Sequence, residues 1–279
     1  MNAAQPIRGQ TARDTAGPSE PIRRRRDTGR ASAPTGGRPG TDRPSEPPHR
    51  PDPARWVVLG STRVLVDPGV FPPQPDTLAV IDRCLALLAD ISEPVIADLC
   101  TGSGVIALAL VEQHPDARIY AVDNSDAAVR SARANADLWA RRTGTRIEVR
   151  AGDATDPRTL ADAAGRADLV VANPPYLPEA VPAPDDLARR TSPTALYGGP
   201  DGLDVIRGVL DVATVTLRPG GWLVLEHAAG QQDSVLDLVD GADAYDAVTG
   251  HCDHASIPRF ITARRRAPDA GPAAPDHSL

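Results

Sequence analysis

From residue 95 to residue 263 the chain alternates short apolar runs with amphipathic segments, and this alternation constrains the fold most strongly. Each run has the length and β-branched content of a buried strand, and the segments between the runs have helical spacing. Helical connections return the chain across a sheet, so such strands pair in parallel. The strand runs are 95–99, 118–123, 146–150, 168–172, 222–227, 244–248 and 257–263. We therefore predict an α/β, doubly wound, Rossmann-like seven-stranded sheet with an antiparallel last strand.

The two ends of the chain differ in composition from its centre. Residues 1–54 hold ten of the 29 prolines and almost no large apolar side chains. Such a segment cannot bury enough surface to offset its ordering entropy, so we predict a disordered Pro/Arg-rich tail, and a second disordered tail at 267–279. The pattern at residues 55–93 predicts a β-hairpin and a helix that leads into the α/β domain, and that domain is predicted at residues 94–266.

The composition argues against several classes of protein. A net charge of −7 argues against a protein that coats nucleic acid or binds a membrane surface, and 41% apolar residues suffice for a sizeable core. The three cysteines and six histidines have no metal-ligand spacing, so we expect no metal site. No stretch resembles a signal peptide or a membrane span. We expect a cytoplasmic monomer without direct nucleic-acid contacts.

A glycine turn connects the first sheet strand to the following helix. It contains the five residues Cys100, Thr101, Gly102, Ser103 and Gly104, and glycines at such a turn allow backbone to approach a ligand closely. The next strand ends in Asp123, about twenty residues farther on, where an acid can accept hydrogen bonds from ribose hydroxyls. We therefore predict a nucleotide-type cofactor.

Asp98 separates two interpretations of this turn. In a dinucleotide fold the turn holds a pyrophosphate, which an acid two residues earlier would repel. S-adenosylmethionine carries a positively charged sulfonium, which the same acid would favour. The sequence therefore favours the methyl donor. The alternative, in which Asp98 and Asp123 are ordinary capping or turn acids, is weakened by their spacing around the glycines.

The tetrapeptide Asn173-Pro174-Pro175-Tyr176 follows an apolar strand directly, at the sheet edge where ligands bind in α/β folds. Two prolines remove two backbone donors, and the Asn173 side chain adds an amide oxygen. Such an acceptor-rich corner beside an aromatic ring suits a planar –NH2 group. The alternative is a turn that ends a strand, with Tyr176 as packing.

Other polar and aromatic residues are predicted to serve packing. Phe71 and Tyr197 are expected to serve packing rather than catalysis, and Leu138 is expected on the apolar side of a helix that Ser125 or Asp126 caps. Glu226 and His227 are adjacent on a strand, so at most one of them faces the cleft, and neither is assigned to catalysis.

With these motifs together, the chain resembles class I methyltransferases and, more narrowly, the bacterial peptide chain release factor N5-glutamine methyltransferases (PrmC/HemK family). The resemblance spans roughly residues 56–265. Further matching segments are 71–77, 195–203, 219–221, 225–227 and 258–260. The resemblance implies an S-adenosylmethionine-dependent enzyme that methylates the glutamine of the Gly-Gly-Gln (GGQ) loop of release factors.

Residue roles follow from the same resemblance. The resemblance implies that Asp98 and the turn from Cys100 to Gly104 hold the methionine part, that Asp123 holds the ribose, and that Asp153 and Ala154 hold the adenine edge. Asn173, also beside the donor, and the Pro174 carbonyl would bind the glutamine amide, with Pro175 and Tyr176 packing against it.

The sequence also departs from the family pattern. Cys100 replaces a usual Gly, so the backbone is expected to manage without a positive φ. Gln74 and Leu78 replace an Arg and a Glu, Ser192 replaces a Glu, and no counterpart of the family's amino-terminal helical domain is apparent. Two alternatives therefore stay open: an adenine-N6 or other nucleic-acid amino methyltransferase, and a degenerate protein that binds the donor without transferring its methyl group.

Overall fold

A computed structural model describes residues 53–267. The two predicted disordered tails lie outside this range, apart from residues 53, 54 and 267 at its ends. None of the helices in the described range has the length and apolar character needed to cross a bilayer.

The described residues form nine strands and six α-helices. The strands are β1 (Arg55–Leu59), β2 (Thr62–Val66), β3 (Val95–Leu99), β4 (Arg118–Asp123), β5 (Ile147–Ala151), β6 (Ala167–Ala172), β7 (Leu217–Glu226), β8 (Tyr245–Cys252) and β9 (Pro258–Arg265). The helices are α1 (Thr77–Leu88), α2 (Val105–Gln113), α3 (Asp126–Thr143), α4 (Asp185–Arg190), α5 (Asp204–Thr216) and α6 (Gln232–Gly241). The sequence at 159–164 predicts a weak helix, but the structure has a 3-10 turn, Pro157–Ala163. Residues 178–193 contain several prolines and acids and predict a long loop, but α4 lies within them.

Seven strands form one sheet in the order β5-β4-β3-β6-β7-β9-β8, with β1 and β2 as a separate hairpin. The pairs from β5 to β7 are parallel, whereas β9 is antiparallel to both β7 and β8. The predicted sheet and its antiparallel last strand are therefore confirmed, with β9 inserted between its neighbours. The chain leaves β3 toward β4 and returns to β6 on the other side, which creates a crevice at the carboxyl ends of these central strands.

The hairpin is attached to α3 by buried polar side chains. Asn135 is buried, accepts a hydrogen bond from the Leu65 N–H and donates to the carbonyls of Leu65 and Ser103. Asn135 therefore links the hairpin to the glycine turn. The expectation for Leu138 is wrong, because its side chain is 47% exposed. Ala128, Ala132, Asn135 and Ala136 form the buried stripe of α3, and Leu138 lies outside it.

Candidate active site

A cavity of about 560 Å³ lies at the carboxyl ends of β3 and β6. These strands pair through Leu99 and Ala172, so Cys100 and Asn173 leave the sheet side by side. The structure therefore brings the glycine turn and the Asn-Pro-Pro-Tyr corner to one cavity. The predicted residues on its wall are Cys100, Thr101, Gly102, Ser103, Asp123, Asp153, Ala154, Asn173, Pro174, Pro175 and Tyr176.

A glycine-rich loop, residues 198–203, supports the backbone of the corner. A Cβ on Gly198 would lie 2.5 Å from the Pro175 carbonyl oxygen, and a Cβ on Gly202 would collide with the Tyr176 carbonyl oxygen. The Gln231 amide donates to that Tyr176 oxygen at 2.8 Å. The two backbones therefore pack at a distance that only glycine permits.

The glycine turn has a left-handed backbone at three positions. Gly102 and Gly104 have φ of 58° and 81°, and Cys100 has φ of 57°. The expectation that Cys100 avoids a positive φ is therefore wrong. Neighbouring contacts determine the turn, because the Thr101 N–H donates to the Val122 carbonyl and the Gly102 N–H donates to Asp123 Oδ2.

Asp98 lies behind the turn and is fully buried. Its Oδ2 atom accepts from Thr101 Oγ1 at 2.6 Å and from the Ala107 N–H at 3.1 Å, and its Oδ1 atom has no partner. Burial raises the pKa of Asp98 to about 7. Neither Asp98 nor Gly104 is on the cavity wall, so their contacts support indirect roles: Asp98 holds the turn, and Gly104 begins α2. The Ala107 N–H belongs to the first turn of α2. In a dinucleotide fold, N–H groups at this helix end bind the pyrophosphate, but here Asp98 accepts the hydrogen bond.

Asp123 and Asp153, two acids that the sequence indicated, lie on the cavity wall. Asp123 Oδ2 and Oδ1 accept from the N–H groups of Gly102 and Ser125, both at 2.9 Å, and burial raises the pKa of Asp123. Asp153 Oδ1 accepts from the Thr155 N–H and hydroxyl. A carboxylate oxygen has more than one lone pair, so Asp123 can accept further bonds from a ligand.

The charges on the cavity wall fit S-adenosylmethionine. Asp76, Asp123 and Asp153 line the cavity together with a single arginine, Arg259, among the described residues. Arg259 lies 3.3 Å from Asp76 and 3.1 Å from Asp253, so its charge is balanced. A wall with an excess of acids favours a sulfonium over a pyrophosphate.

Comparison with known proteins decides the family. Residues 62–187 match the methyltransferase small domain family. The release factor glutamine methyltransferase of Mycobacterium tuberculosis is 39% identical over 213 residues, which cover 75% of this chain and 68% of that protein. The chain belongs to the release factor glutamine methyltransferase family. It is therefore an S-adenosylmethionine-dependent methyltransferase.

Two further proteins show the breadth of this similarity. The 4-amino-L-phenylalanine/4-methylamino-L-phenylalanine methyltransferase of Streptomyces pristinaespiralis is 39% identical over 196 residues, covering 68% of this chain and 62% of that protein. A Thermus thermophilus 16S rRNA N2 G1207 methyltransferase, solved with AdoMet and guanosine, has a TM-score of 0.55 at 19% identity, covering 76% of this chain and 50% of that one. The similarity to the Thermus thermophilus protein concerns the fold alone.

In this member of the release factor glutamine methyltransferase family, sequence reasoning missed Glu226, which lies behind Asn173. Glu226 is 1% exposed and its Oε2 atom has no hydrogen-bond partner among the described residues. Burial raises the pKa of its carboxyl group, while hydrogen bonding by the side chains of Asn173 and Thr77 lowers that pKa. Neither Glu226 nor His227 is on the cavity wall, which agrees with the expectation from strand alternation. Phe71, expected as packing, does line the cavity. The sequence shows only that an acid ends a strand run. That this strand lies beside the one before Asn173 follows from the strand order in the structure.

Of the positions that depart from the family pattern, Cys100 and Gln74 line the cavity, whereas Leu78 and Ser192 do not. Gln74 lines the cavity and donates to the Pro72 carbonyl, whereas Leu78 packs against the core. The Ser192 N–H donates to the Gly69 carbonyl, so the end of the 178–193 segment is tied to the segment after the hairpin. Pro184 and Leu187 from that segment line the cavity together with Asn173, so the segment forms part of the cavity wall.

Proposed function

We propose that this enzyme methylates the side-chain amide nitrogen of the glutamine in the GGQ loop of peptide chain release factors. Asn173 carries the proposal: its amide-bearing side chain lies on the wall of the same cavity as the glycine turn, with Tyr176 beside it. The name of the 39% identical relative supports this choice of substrate.

The proposed chemistry rests on positioning. A glutamine amide nitrogen is a poor nucleophile, because its lone pair is delocalised into the carbonyl. The Asn173 side-chain oxygen and the Pro174 carbonyl accept its two N–H bonds, raise the electron density on nitrogen and hold it in line for transfer. Positioning of this kind supplies several kcal/mol, on the order of 7 to 11 at the extreme.

The donor side of the cavity has a separate task. S-adenosylmethionine, when bound, supplies an electrophilic methyl group on a positively charged sulfur. We assign the methionine part to Cys100, Thr101, Gly102 and Ser103, the ribose to Asp123, and the adenine edge to Asp153 and Ala154. Pro175 and Tyr176 pack on the glutamine side chain.

A second candidate substrate is a small aromatic amine. The relative from Streptomyces pristinaespiralis supports it, since that protein is named for methylation of 4-amino-L-phenylalanine derivatives. Phe71, Leu187 and Leu196 give the cavity apolar walls that an aromatic ring could contact. A nucleic-acid amino group is a third possibility, because it presents a similar planar –NH2 group.

Transfer from labelled S-adenosylmethionine distinguishes these substrates. The full chain is incubated with a purified release factor, with the same factor carrying alanine in place of the GGQ glutamine, with nucleic acid, and with 4-amino-L-phenylalanine. We expect label in the intact release factor and none in the other three. Label in the alanine variant, or label confined to nucleic acid or the small amine, contradicts the proposal.

A further inference from the structure

The buried carboxyl group of Glu226 lies behind Asn173 on the neighbouring strand. Ala172 of β6 pairs with Leu225 of β7, so Asn173 and Glu226 are the next residues along two parallel strands. Glu226 is 1% exposed, its Oε2 atom has no hydrogen-bond partner in the part of the chain that the structure describes, and hydrogen bonding by the side chains of Asn173 and Thr77 lowers the pKa of its carboxyl group. Glu226 is not on the cavity wall itself, so it can act on the cavity through Asn173, which is on that wall.

We propose that Glu226 is a positioning residue that holds the Asn173 side chain with its amide oxygen toward the cavity. An ionised carboxylate only accepts hydrogen bonds, so it selects the –NH2 end of the neighbouring amide. The oxygen of Asn173 then points to the opposite side. This role rests on the proposed function, in which that oxygen accepts an N–H from the substrate.

The surroundings of Glu226 set the pH range in which this orientation holds. Burial, and secondarily the charge of Asp76, raises the pKa of Glu226 to about 8, while Arg259 acts in the opposite direction. Burial lowers the pKa of the neighbouring His227 and raises that of Tyr176, so both stay neutral near pH 8. As the pH rises through about 8, Glu226 ionises and the selected orientation of Asn173 becomes dominant.

A first experiment tests the orientation without substrate or donor. The protein contains four asparagines, so asparagine-selective ¹⁵N labelling gives few side-chain amide signals, and Asn173→Ala assigns the signal of Asn173. We expect this signal to shift with a midpoint near pH 8 in the wild type and to lose that titration in Glu226→Gln. A signal that does not titrate, or that titrates equally in Glu226→Gln, overturns the proposal.

A second experiment measures methyl transfer to the release factor. A glutamine at position 226 can donate or accept, so Asn173 loses its single orientation, and we expect kcat to fall about a hundredfold. The wild-type kcat should rise through about pH 8, and the Glu226→Gln profile should be flat. Glu93→Gln, the same substitution at an exposed site, should match the wild type.

The two experiments separate different failures. A Glu226→Gln enzyme that keeps the wild-type kcat, or that loses activity but keeps the wild-type pH profile, overturns the positioning role. Absence of methyl transfer by the wild type contradicts the proposed substrate instead. The amide titration of Asn173 decides the role of Glu226 in that case.

Discussion

Single residues at the glycine turn combine strain with hydrogen bonding. Cys100 has a left-handed backbone at a cost of about 1–2 kcal/mol for a residue with a Cβ, and the pairing of β3 with β4 and β6 holds it there. Sequence alone could place this turn but not its dihedral angles, because the contacts that fix them come from Val122 and Asp123 on the next strand.

Substitution at Cys100 measures that strain. We expect Cys100→Gly to be more stable than Cys100→Ala by about 1 kcal/mol, because relief of the left-handed penalty exceeds the entropy lost by glycine. Both variants lose the thiol, so their difference isolates the backbone effect. Urea unfolding gives the free energies, and an alanine variant as stable as the glycine variant contradicts this explanation.

At the scale of elements, loops from distant parts of the chain build the acceptor corner. The strand before Asn173 and the motif itself could be predicted from local pattern. The support from Gly198, Gly202 and Gln231 could not, because it depends on how the loops pack in three dimensions. The same limit hid Glu226, since its contact with Asn173 requires the strand order of the sheet.

Gly202→Ala tests the contact between the glycine-rich loop and the corner. Gly202 has φ of 77°, and an added Cβ would collide with the Tyr176 carbonyl oxygen, so we expect a loss of at least about 2 kcal/mol in the free energy of unfolding and loss of methyl transfer. Gly241→Ala, at the end of α6 with open space around it, is the matched control and should be as stable as the wild type or slightly more so. Equal stability of the two variants contradicts the contact.

At the scale of the whole molecule, the reversal of strand order between β3 and β6 places the predicted site residues, apart from Asp98 and Gly104, around one cavity. The alternation of strands and helices was sufficient to predict this architecture, because parallel strands with helical connections have few possible arrangements. The charge of the cavity wall could not be predicted from the sequence, because only the structure shows that Asp76 and Arg259 line the cavity together with the acids that the sequence indicated.

Ligand-dependent thermal stability tests the character of this cavity. A ligand that binds only the folded protein stabilises it by about 2.7 kcal/mol at a concentration one hundred times its Kd. For S-adenosylmethionine we expect a rise in Tm of roughly 5–10 °C under that condition. NADH should give no rise in Tm. Its pyrophosphate would be repelled by the acids on the cavity wall, and Asp98 already accepts a hydrogen bond from an N–H at the start of α2. An equal rise with NADH contradicts the assignment of the wall charge.

The most direct test of the central claim pairs methyl transfer with donor binding in Asn173→Ala. Removal of the acceptor oxygen should lower kcat/KM toward the release factor by at least about a hundredfold, while calorimetric titration gives a donor affinity close to that of the wild type. Retained methyl transfer in Asn173→Ala would show that the amide nitrogen of the substrate is held by other groups.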